Sequence, residues 1–185
     1  MNYDRQQWWN FINQWTQAPH LIRHMVAVEA AMRAYARRFG EDENVWGLAG
    51  LLHDFDYEKY GMDGHVTNGV PILREKGVDE NILHTILAHY ESATGVKPET
   101  KMDLTLMAVD ELTGFITAVT LVRPSKKIAD VELSSVKKKW KAKEFAAAVD
   151  RQEIKHYATA LGVTLDDHIQ TVLDAMKSVA EDIGL

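Results

Sequence analysis

Cysteine is absent from the 185 residues. That one absence removes structural disulfides, thiolate metal sites, iron–sulfur clusters and cysteine nucleophiles together. Any metal held by this chain must take nitrogen and oxygen ligands. Long apolar runs are scarce as well: the longest strongly apolar stretch without charge, Leu112 to Val122, falls well short of the roughly 18–20 residues of a membrane-spanning helix. The N-terminal MNYDRQQWWNFINQW has no basic region followed by an apolar core and does not read as a signal peptide. A soluble, cytoplasmic protein without a membrane partner is expected. Net positive charge is also missing. With 21 Lys and Arg against 27 Asp and Glu, the formal charge is −6, so nucleic acid is not an expected partner of the general field.

What is present fits one compact domain over residues 1–185. Hydrophobic residues make up 46% and charged residues 26%, enough to bury a core. Four prolines and eleven glycines punctuate the chain, and between them apolar residues recur at three- and four-residue spacing, the helical period. An all-α fold of about eight to ten helices is predicted. The clearest helix begins at Pro19, follows Leu21, Met25, Val28, Met32, Tyr35 and Phe39, and ends at Gly40. Before it, Trp8, Trp9, Phe11, Ile12 and Trp15 form a helix that packs as a lid or offers a partner surface. A third helix runs from near Glu43 to Leu52 and fails at His53-Asp54. A glycine-containing loop at 60–64 follows, then a helix from His65 to Gly77 and one after Asp79. A long helix through Leu104, Ala108, Leu112 and Val119 closes before Pro124, and a last helix starts at Thr164.

Eight histidines are spread along this framework. His53-Asp54 stands where an apolar helix runs out, so both side chains can turn toward one metal; the pair can equally be a surface cap. His24 has apolar neighbours at Leu21, Met25 and Val28, which turns its imidazole inward as a ligand or as a hydrogen-bonded core group. Asp110 lies on the buried side of its helix, where a carboxylate requires a partner or a cation. His89 shares a face with Ile82 and Ile86, and His65 follows a glycine loop. His84 is about 140° around the helix from His89 at 3.6 residues per turn and is excluded. His20, His156 and His168 sit among polar residues and are expected at the surface.

The order His24, His53-Asp54, Asp110, with the second element in AGLLHD and the last in AVDEL, resembles the HD superfamily of metal-dependent phosphohydrolases. The likeness spans about 20–120 and leaves 121–185 as a helical extension. Gly64-His-Val-Thr-Asn-Gly69 and Ile86-Leu-Ala-His-Tyr-Glu91 are similar to the further histidines of HDIG-type members. Four departures stand out. Tyr90 replaces a histidine of the HD-GYP pattern, whose Gly-Tyr-Pro segment is missing. Asp54-Phe-Asp56 replaces Asp-Ile-Gly, and Val66 stands where the family usually has proline.

The resemblance implies that His24, His53, Asp54 and Asp110 ligate one divalent ion and that His65 and His89 complete a second, with Asp54 between them. Iron, manganese, nickel, cobalt and zinc all suit such a donor set. The implied activity is hydrolysis of a small phosphoester, a nucleotide among the candidates, by a hydroxide bridging two metals. Asp54, Asp56 and Glu111 are the candidate catalytic residues, and Glu58 is as well read as a solvated acid. Two other readings stay open: a mixed-valent di-iron oxygenase of the same fold, and a non-catalytic metal- or nucleotide-binding regulatory module. From Arg123 to Lys143 eight of the 21 basic residues meet two acids, a local charge of about +6. Arg123 and Lys126 are therefore candidate substrate-binding residues, while Lys137 to Lys143 also fit a solvated helix.

Overall fold

A computed structural model describes residues 4–185. Among them are twelve α-helices, one 3₁₀ turn at Ile128–Asp130 and no strand. The helices are α1 (Arg5–Trp15), α2 (Pro19–Phe39), α3 (Glu43–Leu52), α4 (Tyr57–Gly64), α5 (Gly69–Glu75), α6 (Glu80–Ala88), α7 (Glu91–Thr94), α8 (Lys101–Leu121), α9 (Leu133–Trp140), α10 (Arg151–Ala160), α11 (Leu165–Ser178) and α12 (Ala180–Ile183). The all-α expectation holds, and the count exceeds it because α4, α7 and α12 are too short to show a period.

Two 21-residue helices organise the core. Pro19 opens α2 at the position where its missing N–H costs nothing, and Gly40 closes it at φ 71°, where the left-handed backbone favours glycine. Helix α2 packs on α3, α8 and α11, and α8 packs on α6, α10 and α11. A capping box between Thr100 and Asp103 starts α8. By length and composition α8 could cross a membrane. Here it is a core helix that buries Leu106, Val109, Leu112, Phe115 and Ile116.

One close approach positions the site. A Cβ added at Gly50 would come within 3.0 Å of the Glu29 backbone, so glycine lets α3 lie against α2. The end of α3 thereby reaches the first turns of α2. Glu29, only 3% exposed, accepts hydrogen bonds from Arg5 and Arg33 and so is paired beneath α1. Helix α1 is a lid on the core: Phe11 and Trp15 pack on Phe55 at ring separations of 5.2 and 5.3 Å. The Thr16 hydroxyl donates to the Phe55 carbonyl at 2.8 Å, which anchors the turn just after His53-Asp54.

Two local expectations are corrected. The segment at 60–64 is helical, and its glycine effect is confined to a break at Gly61, φ 59°. The helix expected from His65 starts later, at Gly69, because 65–68 form a turn. His168 is a further correction. It is fully buried, donating through Nε2 to the Ala108 carbonyl (2.9 Å) and paired through Nδ1 with the Tyr35 hydroxyl. Its apolar neighbours Leu165, Ile169 and Val172 were the missed signal.

Candidate metal centre

Five elements deliver the candidate ligands to one place. His24 is in the second turn of α2, His53 caps α3 with Asp54 next to it, His65 caps α4, His89 caps α6, and Asp110 projects from the middle of α8. Helix ends suit this role because the chain can turn there without breaking a hydrogen-bond ladder.

Asp54 divides the cluster. Its Oδ2 lies 3.7 Å from His24 Nε2 and 3.5 Å from His53 Nε2. Its Oδ1 lies 3.2 Å from His65 Nε2 and 3.7 Å from His89 Nε2. Asp110 Oδ1 faces the first pair, 2.9 Å from His24 Nε2 and 3.5 Å from His53 Nε2. Two groups, His24–His53–Asp54 and Asp54–His65–His89, therefore each bring ligand atoms within 4.8 Å of one another and share one carboxylate.

Each of the four candidate-ligand histidines is held from behind. His53 Nδ1–H donates to the Gly50 carbonyl at 2.8 Å and His89 Nδ1–H to the Ile86 carbonyl at 2.5 Å. His65 Nδ1–H donates to Asp56 at 2.7 Å. The Thr113 hydroxyl donates to the Asp110 carbonyl, which leaves its oxygen to accept from His24 Nδ1–H at 3.3 Å. With Nδ1 protonated, each Nε2 presents a lone pair to the cluster, as a metal-ligating imidazole does. His53 Nε2 is buried without a hydrogen-bond partner among the described residues. His65 Nε2 and His89 Nε2 face each other at 3.1 Å. Facing lone pairs repel, so the arrangement needs a cation or a proton between them. The donor set thus fits divalent transition metals, without choosing among them.

Without metal, protons fill this role. Burial alone would push the His53 imidazolium down, but Asp54 and Asp110 outweigh it and raise it to about 9. Burial opposes the charge on His65 too, and its bonds to Asp54 and Asp56 raise it to about 9. Burial works against the two carboxylates, yet the surrounding imidazoles hold Asp54 and Asp110 well below the usual range.

The structure separates the remaining candidates. Asp56 is 1% exposed, with Oδ1 on His65 and Oδ2 accepting from the Val66 N–H at 2.9 Å. Both of its oxygens are thus engaged, one in holding the His65 ring and one on the Val66 backbone. Val66 itself has φ 66°, which a proline, locked near −65°, could not adopt. Glu58 accepts from the N–H groups of Gln17 and Ala18 and ties down the start of α2. Glu111 lines an open groove of about 810 Å³ together with His89, Tyr90, Lys97, Glu153 and Tyr157. Burial pushes the Glu111 carboxyl up against the lowering bond from the Asp150 N–H, and nearby Asp110 and Glu153 add to the rise. Sequence reasoning missed Thr113, Lys97, Glu153 and Tyr157. Thr113 is one turn from Asp110, which was legible; Glu153 and Tyr157 arrive from α10, which no local pattern connects to the site.

Arg123 and Lys126 are not brought to the cluster. Arg123 lies 13 residues beyond Asp110, about 20 Å along a helix, and donates to the Ser135 hydroxyl at 3.1 Å. It lines a separate cleft with Lys138 and Lys139. His84 points away to Asp103, 3.1 Å distant.

Comparison with known proteins agrees with this geometry. A family model described as HD domain matches residues 21–114. Similar curated proteins are Ribonuclease Y of Oleidesulfovibrio alaskensis, 29% identical over 99 residues, and of Nitratidesulfovibrio vulgaris, 30% over 99 residues; each match covers 51% of this chain and 18% of the relative. Ribonuclease Y of Desulforudis audaxviator is 32% identical over 97 residues, covering 50% and 18%. The chain thus spans less than a fifth of the length of these relatives. No solved structure matches significantly.

Proposed function

This chain belongs to the HD domain family, and we propose that it is a hydrolase that cleaves a small phosphoester with one or two divalent transition-metal ions. The observation that carries this reading is the orientation of four imidazoles, each tied at Nδ1 and turned through Nε2 toward Asp54 and Asp110. His24, His53, Asp54 and Asp110 would hold one ion, and Asp54, His65 and His89 a second. Such ions supply a water of lowered pKa and positive charge to bind phosphoryl oxygens.

The chain's own groups do the rest. Gly50, Ile86, Asp56 and Thr113 fix the imidazole rings, so little reorganisation is needed when a substrate enters. Asp54 is 16% exposed and Asp110 26% exposed at the side chain, which leaves the cluster open on one side. Glu111 stands in the groove wall with His89, where burial pushes its carboxyl up, the direction that suits a proton-transfer group beside the cluster. Lys97 in the same groove can accompany the phosphate's charge.

The test is to strip the purified protein, reload it separately with manganese, iron, cobalt, nickel and zinc, and assay phosphate release from aryl phosphates and nucleotides. Release that depends on metal and is lost in Asp54→Ala supports the reading. No release with any filled site, or turnover that requires oxygen, overturns it.

A further inference from the structure

On the His24 side of the cluster lies a second cavity, about 260 Å³, lined by His20, Arg23, His24, Gly114, Thr117 and Leu121, with residues 183–185 completing its wall. Asp110, Gly114, Thr117 and Leu121 follow one another at four-, three- and four-residue spacing on one face of α8. The cavity therefore begins one helical turn from a candidate ligand and shares His24 with the cluster. Its other walls include Ile183, and Leu121 is 48% exposed although it is a large apolar side chain.

Gly114 points to an occupant. In the middle of a long helix a glycine is about 0.5–1 kcal/mol less favourable than alanine. A neighbour pressed against the helix would justify it, but a Cβ built at Gly114 meets nothing within 4 Å. Gly114 has ordinary helical geometry, since it is not among the positive-φ glycines. Gly114 is exposed and lines the cavity, so packing within this chain gives no reason for glycine there and the space beside it is open to an occupant.

The two flanks of the cluster differ in chemistry. The groove on the His89 side carries Glu91, Glu111 and Glu153 against Lys97, and would repel a train of phosphates. The cavity on the His24 side pairs apolar walls with Arg23 at its rim, and its volume is below the roughly 300–1,000 Å³ of sites for drug-sized ligands. We propose that this cavity receives the organic body of the substrate, and that the substrate is a phosphomonoester with a compact apolar body such as a single ring, in preference to a polynucleotide. The inference rests on the hydrolase reading for its phosphate and on the cavity for its selectivity.

The experiment measures binding and turnover separately. Calorimetry of the metal-loaded protein with phenylphosphonate, which cannot be hydrolysed, should show binding that weakens about tenfold or more in Gly114→Phe, a change of about 1.4 kcal/mol. Metal stoichiometry should stay at the wild-type value. Gly114→Ala adds one methyl to the same wall and should weaken phenylphosphonate less than Gly114→Phe does. In turnover, KM for phenyl phosphate should rise in Gly114→Phe far more than kcat falls, and a short RNA oligonucleotide should be a poorer substrate than phenyl phosphate. Equal phenylphosphonate affinity in folded, metal-loaded wild type and Gly114→Phe overturns the cavity assignment, and so does preferred cleavage of RNA. Phenylphosphonate binding that responds to Gly114→Phe without hydrolysis of any ester would instead sustain the cavity and overturn the hydrolase reading.

Discussion

Nε2 of His65 lies 3.1 Å from Nε2 of His89, while the Nδ1 of each ring is already committed as a donor, to Asp56 and to the Ile86 carbonyl. Two lone pairs at that distance require a positive charge between them, supplied by a proton or by a metal. In the metal-free protein His53 and His65 are raised to about 9, above their ordinary value near 6.5. A raised folded-state value stabilises fully below pH 6.5, and that stabilisation is lost as pH rises toward 9. A divalent ion replaces those protons. The gap in Tm between loaded and chelator-stripped protein should therefore widen from pH 6.5 to pH 9, as read by differential scanning fluorimetry. A gap that narrows over that range would contradict the exchange.

Asp54 faces both histidine pairs with different oxygens. Asp54→Ala should lose metal from both positions, whereas His84→Ala, which disturbs only the contact to Asp103, should retain it. Elemental analysis after gel filtration checks this. Wild-type metal content in folded Asp54→Ala would contradict the shared role.

Asp56 acts through His65. Asp56→Ala would leave the His65 Nδ1–H and the Val66 N–H without their acceptor in a buried place, at a cost of about 2–4 kcal/mol. Loss of a hydrogen-bond partner behind a ligand typically weakens metal about 10–100-fold, and here the His65–His89 position should suffer while the His24–His53 position holds. Metal titration followed by calorimetry should resolve one weakened ion and one unaffected.

His168 is a separate, structural sensor of pH. Burial depresses its imidazolium to about 4, and the hydrogen bond to Ala108 only partly offsets this. A depressed histidine leaves stability intact above about pH 6.5 and removes it as pH falls toward 4, on the order of 3 kcal/mol in all. Urea melts of His168→Gln between pH 7 and 4 should show a shallower decline than wild type. An identical decline would mean that His168 does not titrate on unfolding.

Much of this was legible in the chain because helical periodicity reports which side of a helix faces inward. Pro19 and Gly40 bounded α2 as the structure has them, and the apolar neighbours of His24 placed its ring inward. His168 had the same kind of neighbours and was nevertheless read as surface, because the acids Asp166 and Asp167 beside it dominate the local composition. Arg123 and Lys126 were placed by charge, but both lie beyond the end of α8, and Arg123 turns to Ser135 and a cleft of its own. Glu153 and Tyr157 were invisible because α10 docks on α8 through a contact remote in sequence. Local pattern reports the facing of a side chain, and only the packing of distant helices reports its company.

The central claim is that His24, His53, Asp54, His65, His89 and Asp110 form one metal centre with Asp54 between its two halves. Anomalous diffraction from crystals grown with manganese or iron, recorded on both sides of the metal edge, tests it most directly. The account predicts anomalous peaks within this cluster, with Asp54 ligating whichever ions are present. Peaks located elsewhere, or an occupied cluster in which Asp54 makes no contact with metal, would contradict it.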